Sequence, residues 1–288
     1  MVLSQVQETS EKRAAVAQRS LAKLLEPLDE LASRSSSLLT RPLRGGWNAE
    51  ALGHGANGGH QLRDAAFVLP RYLFVGPKGG DDPIRLGLFA AIHGDEPEGA
   101  HALVRLLQTL EAAPDLARGY MLFIYPVCNP GGYEDNTRHS RRGRDLNREF
   151  WNNSREEEVV LLQSEICLHA FHGLIALHSD SSSDGMYGFV RGASLSRHLL
   201  EPALRSAEEV LPRNPAGVID GFTARHGIIR QGYQGILTVP ARVKPAPFEI
   251  ILESPQAAPQ FQQEQALLLA TLKILSEYRK FIAYAANL

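Results

Sequence analysis

The chain has 288 residues, of which 44% are hydrophobic and 22% charged, a balance that excludes disordered and collagenous classes and fits an ordinary globular protein. A net charge of −2 and a pI of about 6.6 argue against a nucleic-acid or membrane-surface partner. Two cysteines, Cys128 and Cys167, give no disulfide framework, no apolar stretch approaches a membrane span, and Met1 to Arg13 has no signal-peptide core, so a cytoplasmic protein is expected.

Residues 2–40 alternate charge with apolar positions such as Val6, Val16, Leu21, Leu24, Leu25, Leu28, Leu31 and Leu38. The spacing predicts one or two amphipathic helices broken near Pro27, packed on the outside of the domain or serving as an oligomerisation arm. Residues 41–62 are rich in Gly, His and Asn and read as a connecting loop or hairpin. They lack the Gly-Lys-Ser/Thr ending of a phosphate loop, and His54 and His60 read as solvated loop histidines rather than metal ligands.

Residues 66–76 and 84–92 read as strands, and the Pro77–Pro83 turn between them predicts adjacent antiparallel pairing. The apolar run Leu86–Ile92 stops abruptly at His93-Gly94-Asp95-Glu96, and a helical pattern follows from Pro97 with Ala100, Leu103, Val104, Leu107 and Leu110 on one face. Further strands are expected at 120–127, ending near a buried Cys128, at 173–177 and at 248–252. Helices are expected at about 154–170, 194–211 and 260–285, with short strands and loops over 216–245. No repeat or low-complexity linker interrupts the alternation. The expectation is one α/β domain over residues 1–288, a mixed central β-sheet flanked by helices, with 1–40 as a helical N-terminal extension.

Three apolar strands end in groups able to do chemistry, at His93, His178 and Glu253, and a fourth ends in Asn129. In an open α/β sheet such ends gather at one edge even when distant in sequence. His93, Glu96 and His178 would form a two-His, one-carboxylate metal site, and three protein ligands leave a position free, the catalytic rather than the structural pattern of zinc. Glu253 is not needed as a ligand and suits a general base for metal-activated water. Glu249, four residues earlier on the same strand, is its rival; Glu253 is preferred because it stands beside the turn-forming Ser254-Pro255. In the basic stretch 138–148, Asn147 and Arg148 can fix a carboxylate, and Arg138 can donate to a developing oxyanion. Arg141 and Arg142 read as solvated.

These residues resemble the zinc carboxypeptidase family. His93-Gly94-Asp95-Glu96, Asn129-Pro130-Gly131-Gly132, Thr137-Arg138, Asp145-Leu146-Asn147-Arg148, His178-Ser179 and Ile251-Leu252-Glu253-Ser254-Pro255 follow the family's order and spacing. The similarity is closest to short bacterial members and to the succinylglutamate desuccinylase and aspartoacylase branch, over about residues 84–256. It implies one zinc held by His93, Glu96 and His178, carbonyl polarisation by Arg138, a carboxylate grip by Asn147 and Arg148, and water activation by Glu253. The family's Asn-Pro-Asp-Gly is Asn129-Pro130-Gly131-Gly132 here, and its Asn-Arg-Asn-Phe is Asn147-Arg148-Glu149-Phe150. Its mobile tyrosine has Tyr233, flanked by Gly232 and Gly235, as the nearest counterpart, in a lid or a plain surface turn.

Three functions remain open on the sequence. One is a zinc carboxypeptidase for small peptides, and another a zinc amidohydrolase of N-acyl amino acids; either substrate carries a free carboxylate. The third is a non-catalytic relic that binds peptide or metal. Asp180 and Asp184 follow His178 and either select an amine-bearing substrate or form a solvated loop.

Overall fold

A computed structural model describes residues 18–45, 67–80, 82–240, 242–244 and 246–285. The Gly- and His-rich segment from 46 to 66, with His54 and His60, lies outside the described residues, as does Val6, Val16 and the rest of 1–17. In chain order the elements are α1 (Leu21–Arg34), β1 (Leu38–Thr40), β2 (Leu43–Arg44), β3 (Val68–Leu69), β4 (Tyr72–Val75), β5 (Ile84–Ala90), α2 (Glu98–Ala112), β6 (Tyr120–Tyr125), α3 (Pro130–Asp135) and α4 (Glu157–His169). They continue with β7 (Gly173–Asp180), β8 (Tyr187–Val190), α5 (Ala193–Leu195), α6 (Glu201–Ala207), β9 (Val218–Ile219), β10 (Phe222–Arg225), β11 (Ile228–Ile229), β12 (Phe248–Pro255) and α7 (Gln260–Ala285).

The described strands other than β2 and β3 form one mixed sheet in the order β1-β4-β6-β5-β7-β12-β8-β11-β10-β9. Its centre, β6-β5-β7-β12, is parallel. Those central strands read as unbroken apolar runs because both faces are covered. Leu86, Leu88, Leu122, Ile124, Ile175 and Leu177 point to the core shared with α1, α2, α6 and α7. The alternate residues Phe89, Phe123, Tyr125 and Leu174 pack against Val159, Leu162 and Ile166 of α4. No described helix is long and apolar enough to cross a membrane.

Three local expectations are corrected. The N-terminal helix does not break at Pro27 but runs through it. Losing the bond to the Lys23 carbonyl costs roughly 3 kcal/mol, and burial of Leu24, Leu25 and Leu28 offsets it. Strand β4 does not pair with β5. Both edges of β5 are taken by its parallel neighbours β6 and β7, so β4 joins antiparallel to the far edge of β6, with Tyr72 opposite Ile124. Residues 194–211 are not one α-helix. A π-helical turn at Ser196–Leu200 separates α5 from α6, where Pro202 has no N–H for the His198 carbonyl.

Candidate metal and active site

The chain leaves β5 through Ala91, whose φ of +47° lies in the left-handed region, and so turns His93 and Glu96 back across the sheet edge. The loop after β6 docks directly on this turn: Cys128 N–H donates to the Ala90 carbonyl at 2.9 Å and Asn129 N–H to the Ala91 carbonyl at 3.0 Å. Asn129 also caps α3, its Oδ1 accepting from Gly132 N–H at 2.9 Å. The two loops meet at Gly94 and Gly132, where a Cβ on Gly94 would fall 1.9 Å from the Gly132 carbonyl carbon. Glycine in both motifs is therefore a packing requirement.

Strands β7 and β12 bring the remaining groups together. The expected strand ends at Leu177 and Leu252 are extended by the ladder, which continues to Asp180 and Pro255 and sets Glu253 opposite His178. His93, Glu96 and His178 converge, all buried, with ligand atoms within 4.8 Å of one another. Nδ1 of His93 lies 2.6 Å from Glu96 Oε1, and Nδ1 of His178 lies 2.8 Å from Glu96 Oε2. Ser179 N–H donates to the same carboxylate at 3.2 Å. On the other side of the His93 ring, Nε2 stands 3.3 Å from Asp145 Oδ1 but is not aligned for a hydrogen bond. Two imidazoles and a carboxylate in this burial are a donor set of borderline softness, which fits a divalent ion of the zinc type, and a carboxylate behind a ligating imidazole is the usual outer support.

The electrostatics follow from this crowding. Burial by itself raises the pKa of Glu96, but His178 and His93 outweigh it and hold it at about 2. Burial lowers that of His93, but Asp145 and Glu96 outweigh it and raise it. Burial is also the first cause acting on Glu253, and with Glu96, Asp180 and Asp220 it overrides the pull of His178 and leaves that carboxyl at about 8.

Arg138 is held by Asp145, through Nε at 3.1 Å and Nη2 at 3.0 Å, and its Nη1 lies 3.6 Å from Glu96. Asp145 also accepts from Asn147 N–H at 3.0 Å, shaping the turn that presents Asn147 and Arg148. Leu237 N–H donates to Asn147 Oδ1 at 2.9 Å, leaving the amide's donor side for a ligand. The exposed Arg148 guanidinium lies 4.7 Å from the centre of the Tyr233 ring, whose hydroxyl donates to the Asp220 carbonyl at 3.0 Å.

All eight residues singled out in the sequence, His93, Glu96, Arg138, Asn147, Arg148, His178, Tyr233 and Glu253, line one cleft of about 300 Å³. Glu249 does not line it; its Oε1 accepts from Val239 N–H at 2.6 Å. Asp184 is exposed and outside the cleft, whereas Asp180 lines it. Two residues, one behind the cleft lining and one in it, carried no role in the sequence reading. Asp145 was visible in the Asp-x-Asn-Arg motif, but its contact with Arg138 depends on the fold. Asp220 belongs to no motif and is brought in by the turn between β9 and β10.

Residues 83–214 match the family model of the succinylglutamate desuccinylase/aspartoacylase catalytic domain, in keeping with the resemblance read from the motifs. No curated protein matches the chain. Among solved structures, a provisionally assigned metallopeptidase from Shewanella baltica superposes with a TM-score of 0.70 at 19% identity, covering 89% of this chain and 92% of that one. A metallo-carboxypeptidase from Burkholderia cenocepacia gives 0.60 at 13% identity, over 90% of this chain and 68% of that one. A succinylglutamate desuccinylase/aspartoacylase from Rhodobacter sphaeroides gives 0.50 at 15% identity, over 84% and 65%. The fold is carboxypeptidase-like.

Proposed function

We propose that this protein is a zinc-dependent hydrolase that cleaves an amide bond next to a free carboxylate, acting as a small carboxypeptidase. The observation that carries this reading is the buried His93–Glu96–His178 cluster, opening on a cleft that Glu253, Arg138, Asn147 and Arg148 also line. Zinc held by His93, Glu96 and His178 would supply Lewis-acid polarisation and acidify water at neutral pH.

The chain's own groups perform the rest. Arg148 and the Asn147 amide bind the substrate carboxylate and place the scissile bond. Glu253, at the shared edge of β7 and β12, takes a proton from the attacking water and delivers it to the leaving nitrogen. Arg138, oriented by Asp145, stabilises the negative charge that develops on the carbonyl oxygen. Tyr233 stacks near Arg148 and covers the bound carboxylate, limiting access of bulk water.

The match of residues 83–214 to the desuccinylase/aspartoacylase domain supports a second reading, deacylation of N-acyl amino acids by the same groups. Substituting the base tests the mechanism common to both. Glu253→Gln keeps its shape and removes the proton acceptor, so it should retain zinc and lose turnover by about 10²-fold or more. Glu249→Gln should remain active, because that carboxylate serves the Val239 backbone outside the cleft. Wild-type rates in Glu253→Gln on every hydrolysed substrate would refute the proposal.

A further inference from the structure

We infer that Arg19 is a positioning residue for the metal loop: the segment just ahead of α1 braces the turn that carries His93 and Glu96 and so sets how tightly zinc is held. The inference rests on the metal site proposed above. It assigns part of that site's affinity to a residue far outside the matched stretch 83–214.

The turn shows why a brace matters. Between His93 and Glu96 the chain reverses, with Glu96 N–H donating to the His93 carbonyl at 3.2 Å. Gly94 and Asp95 are its central residues and lie beyond the end of β5, outside the ladder that fixes the strand. Gly94 is buried there, and a buried carbonyl needs a donor. Arg19 supplies one from 75 residues away, its Nη1 donating to the Gly94 carbonyl at 2.9 Å. With a guanidinium as donor, the bond belongs to the stronger, charge-assisted class.

Arg19 is itself fixed from several sides. Its backbone N–H donates to the Glu134 carbonyl of α3 at 3.1 Å. Its guanidinium lies 5.6 Å from the centre of the buried Tyr133 ring, a cation–π distance. The next residue, Ser20, caps α1 by accepting from Lys23 N–H at 3.3 Å, and α1 buries Leu24, Leu25 and Leu28 in the core shared with α2. One half-buried side chain therefore joins α1, α3 and the metal loop.

The three restraints on the loop act differently. Cys128 and Asn129 N–H hold its start, at Ala90 and Ala91. The close approach of Gly94 to Gly132 limits how near the loops can come, but does not oppose their parting. Arg19 opposes it, at the crown of the turn, one residue after His93 and two before Glu96. Without it, the metal-free turn has more conformations to lose when zinc binds, and the apparent affinity falls by that cost.

The test measures zinc affinity of the full chain by competition with a chromophoric chelator, well below the Tm of each variant. Arg19→Ala should bind zinc about tenfold more weakly, the lower end of what losing an outer support of a metal site costs. Arg19→Lys keeps a cationic donor and should fall between that variant and the wild type. Leu24→Ala weakens the packing of α1 without touching the loop, and should lower the Tm of the metal-free protein while keeping wild-type zinc affinity. Hydrogen exchange of the metal-free protein should be faster in Arg19→Ala than in the wild type over residues 93–96, and unchanged over β7. Wild-type zinc affinity in Arg19→Ala, or an equal loss of affinity in Leu24→Ala, would overturn the inference. If the wild type binds zinc and the Arg19 effect appears but no amide is hydrolysed, the hydrolase reading falls and this inference stands. A wild-type chain that binds no zinc would overturn both.

Discussion

Gly94→Ala is a one-methyl change whose consequences can be worked from the contact between two loops. The added Cβ would lie 1.9 Å from the Gly132 carbonyl carbon and 2.3 Å from both the Gly132 oxygen and Tyr133 nitrogen. Normal contact there needs roughly 3.4 Å or more, so one loop must retreat by more than about 1 Å. Neither moves freely, because Cys128 and Asn129 N–H bond to the Ala90 and Ala91 carbonyls, and Arg19 Nη1 donates to the Gly94 carbonyl at 2.9 Å. Overpacking of this kind costs about 1–3 kcal/mol. For a chain of 288 residues, with an unfolding entropy of about 2.1 cal/mol/K per residue, that lowers Tm by roughly 2–5 °C. The larger effect is on the site, since the turn carries His93 and Glu96, and a displacement of about 1 Å is worth on the order of 10²-fold in rate. Thermal unfolding of the metal-free protein, zinc content after dialysis, and kcat/KM on the best substrate would measure the three consequences. Gly217→Ala, where nothing lies within 4 Å of the added Cβ, is the control and should be close to neutral. Wild-type Tm, zinc content and activity in Gly94→Ala would show that the loops are not locked against each other.

Purified protein reconstituted with zinc should hold about one ion per chain, and His93→Ala and His178→Ala should each lose it; full occupancy in both, by elemental analysis, would refute the ligand assignment. Arg148→Ala should chiefly raise KM, whereas Arg138→Ala should chiefly lower kcat, by about 10²-fold, and identical effects on both parameters would contradict the division of labour. Away from the cleft, Glu165 accepts from Tyr125 at 2.6 Å and Arg71 at 2.5 Å, with His169 at 3.2 Å. Burial raises its pKa, but these partners outweigh that and bring it from an ordinary 4.5 down to about 2. A depressed carboxylate stabilises the fold above its unfolded pKa, and that contribution is lost as pH falls from about 4.5 toward 2. Urea unfolding across that window should therefore show a steeper acid limb in the wild type than in Glu165→Gln.

The central strands and the polar groups at their ends were legible in the sequence alone. Apolar runs ending in His93, His178 and Glu253 identify strands whose carboxyl ends collect functional groups, and this holds because both the strand signal and the ligand pair are local. The Asp145-Leu146-Asn147-Arg148 motif was legible for the same reason. What the tertiary structure decided was whatever depends on partners distant in sequence. The Pro77–Pro83 turn permits antiparallel pairing, but both edges of β5 were claimed by crossover strands, so β4 went to β6. Helix propensity argued for a break at Pro27, and packing of Leu24, Leu25 and Leu28 overrode it. Glu249 and Glu253 are equivalent in strand period; only the fold shows one bound to the Val239 backbone and the other set against His178. Asp220 has no signal in the sequence, because a lone acidic residue in a turn is indistinguishable from a solvated one until the fold closes a cleft around it.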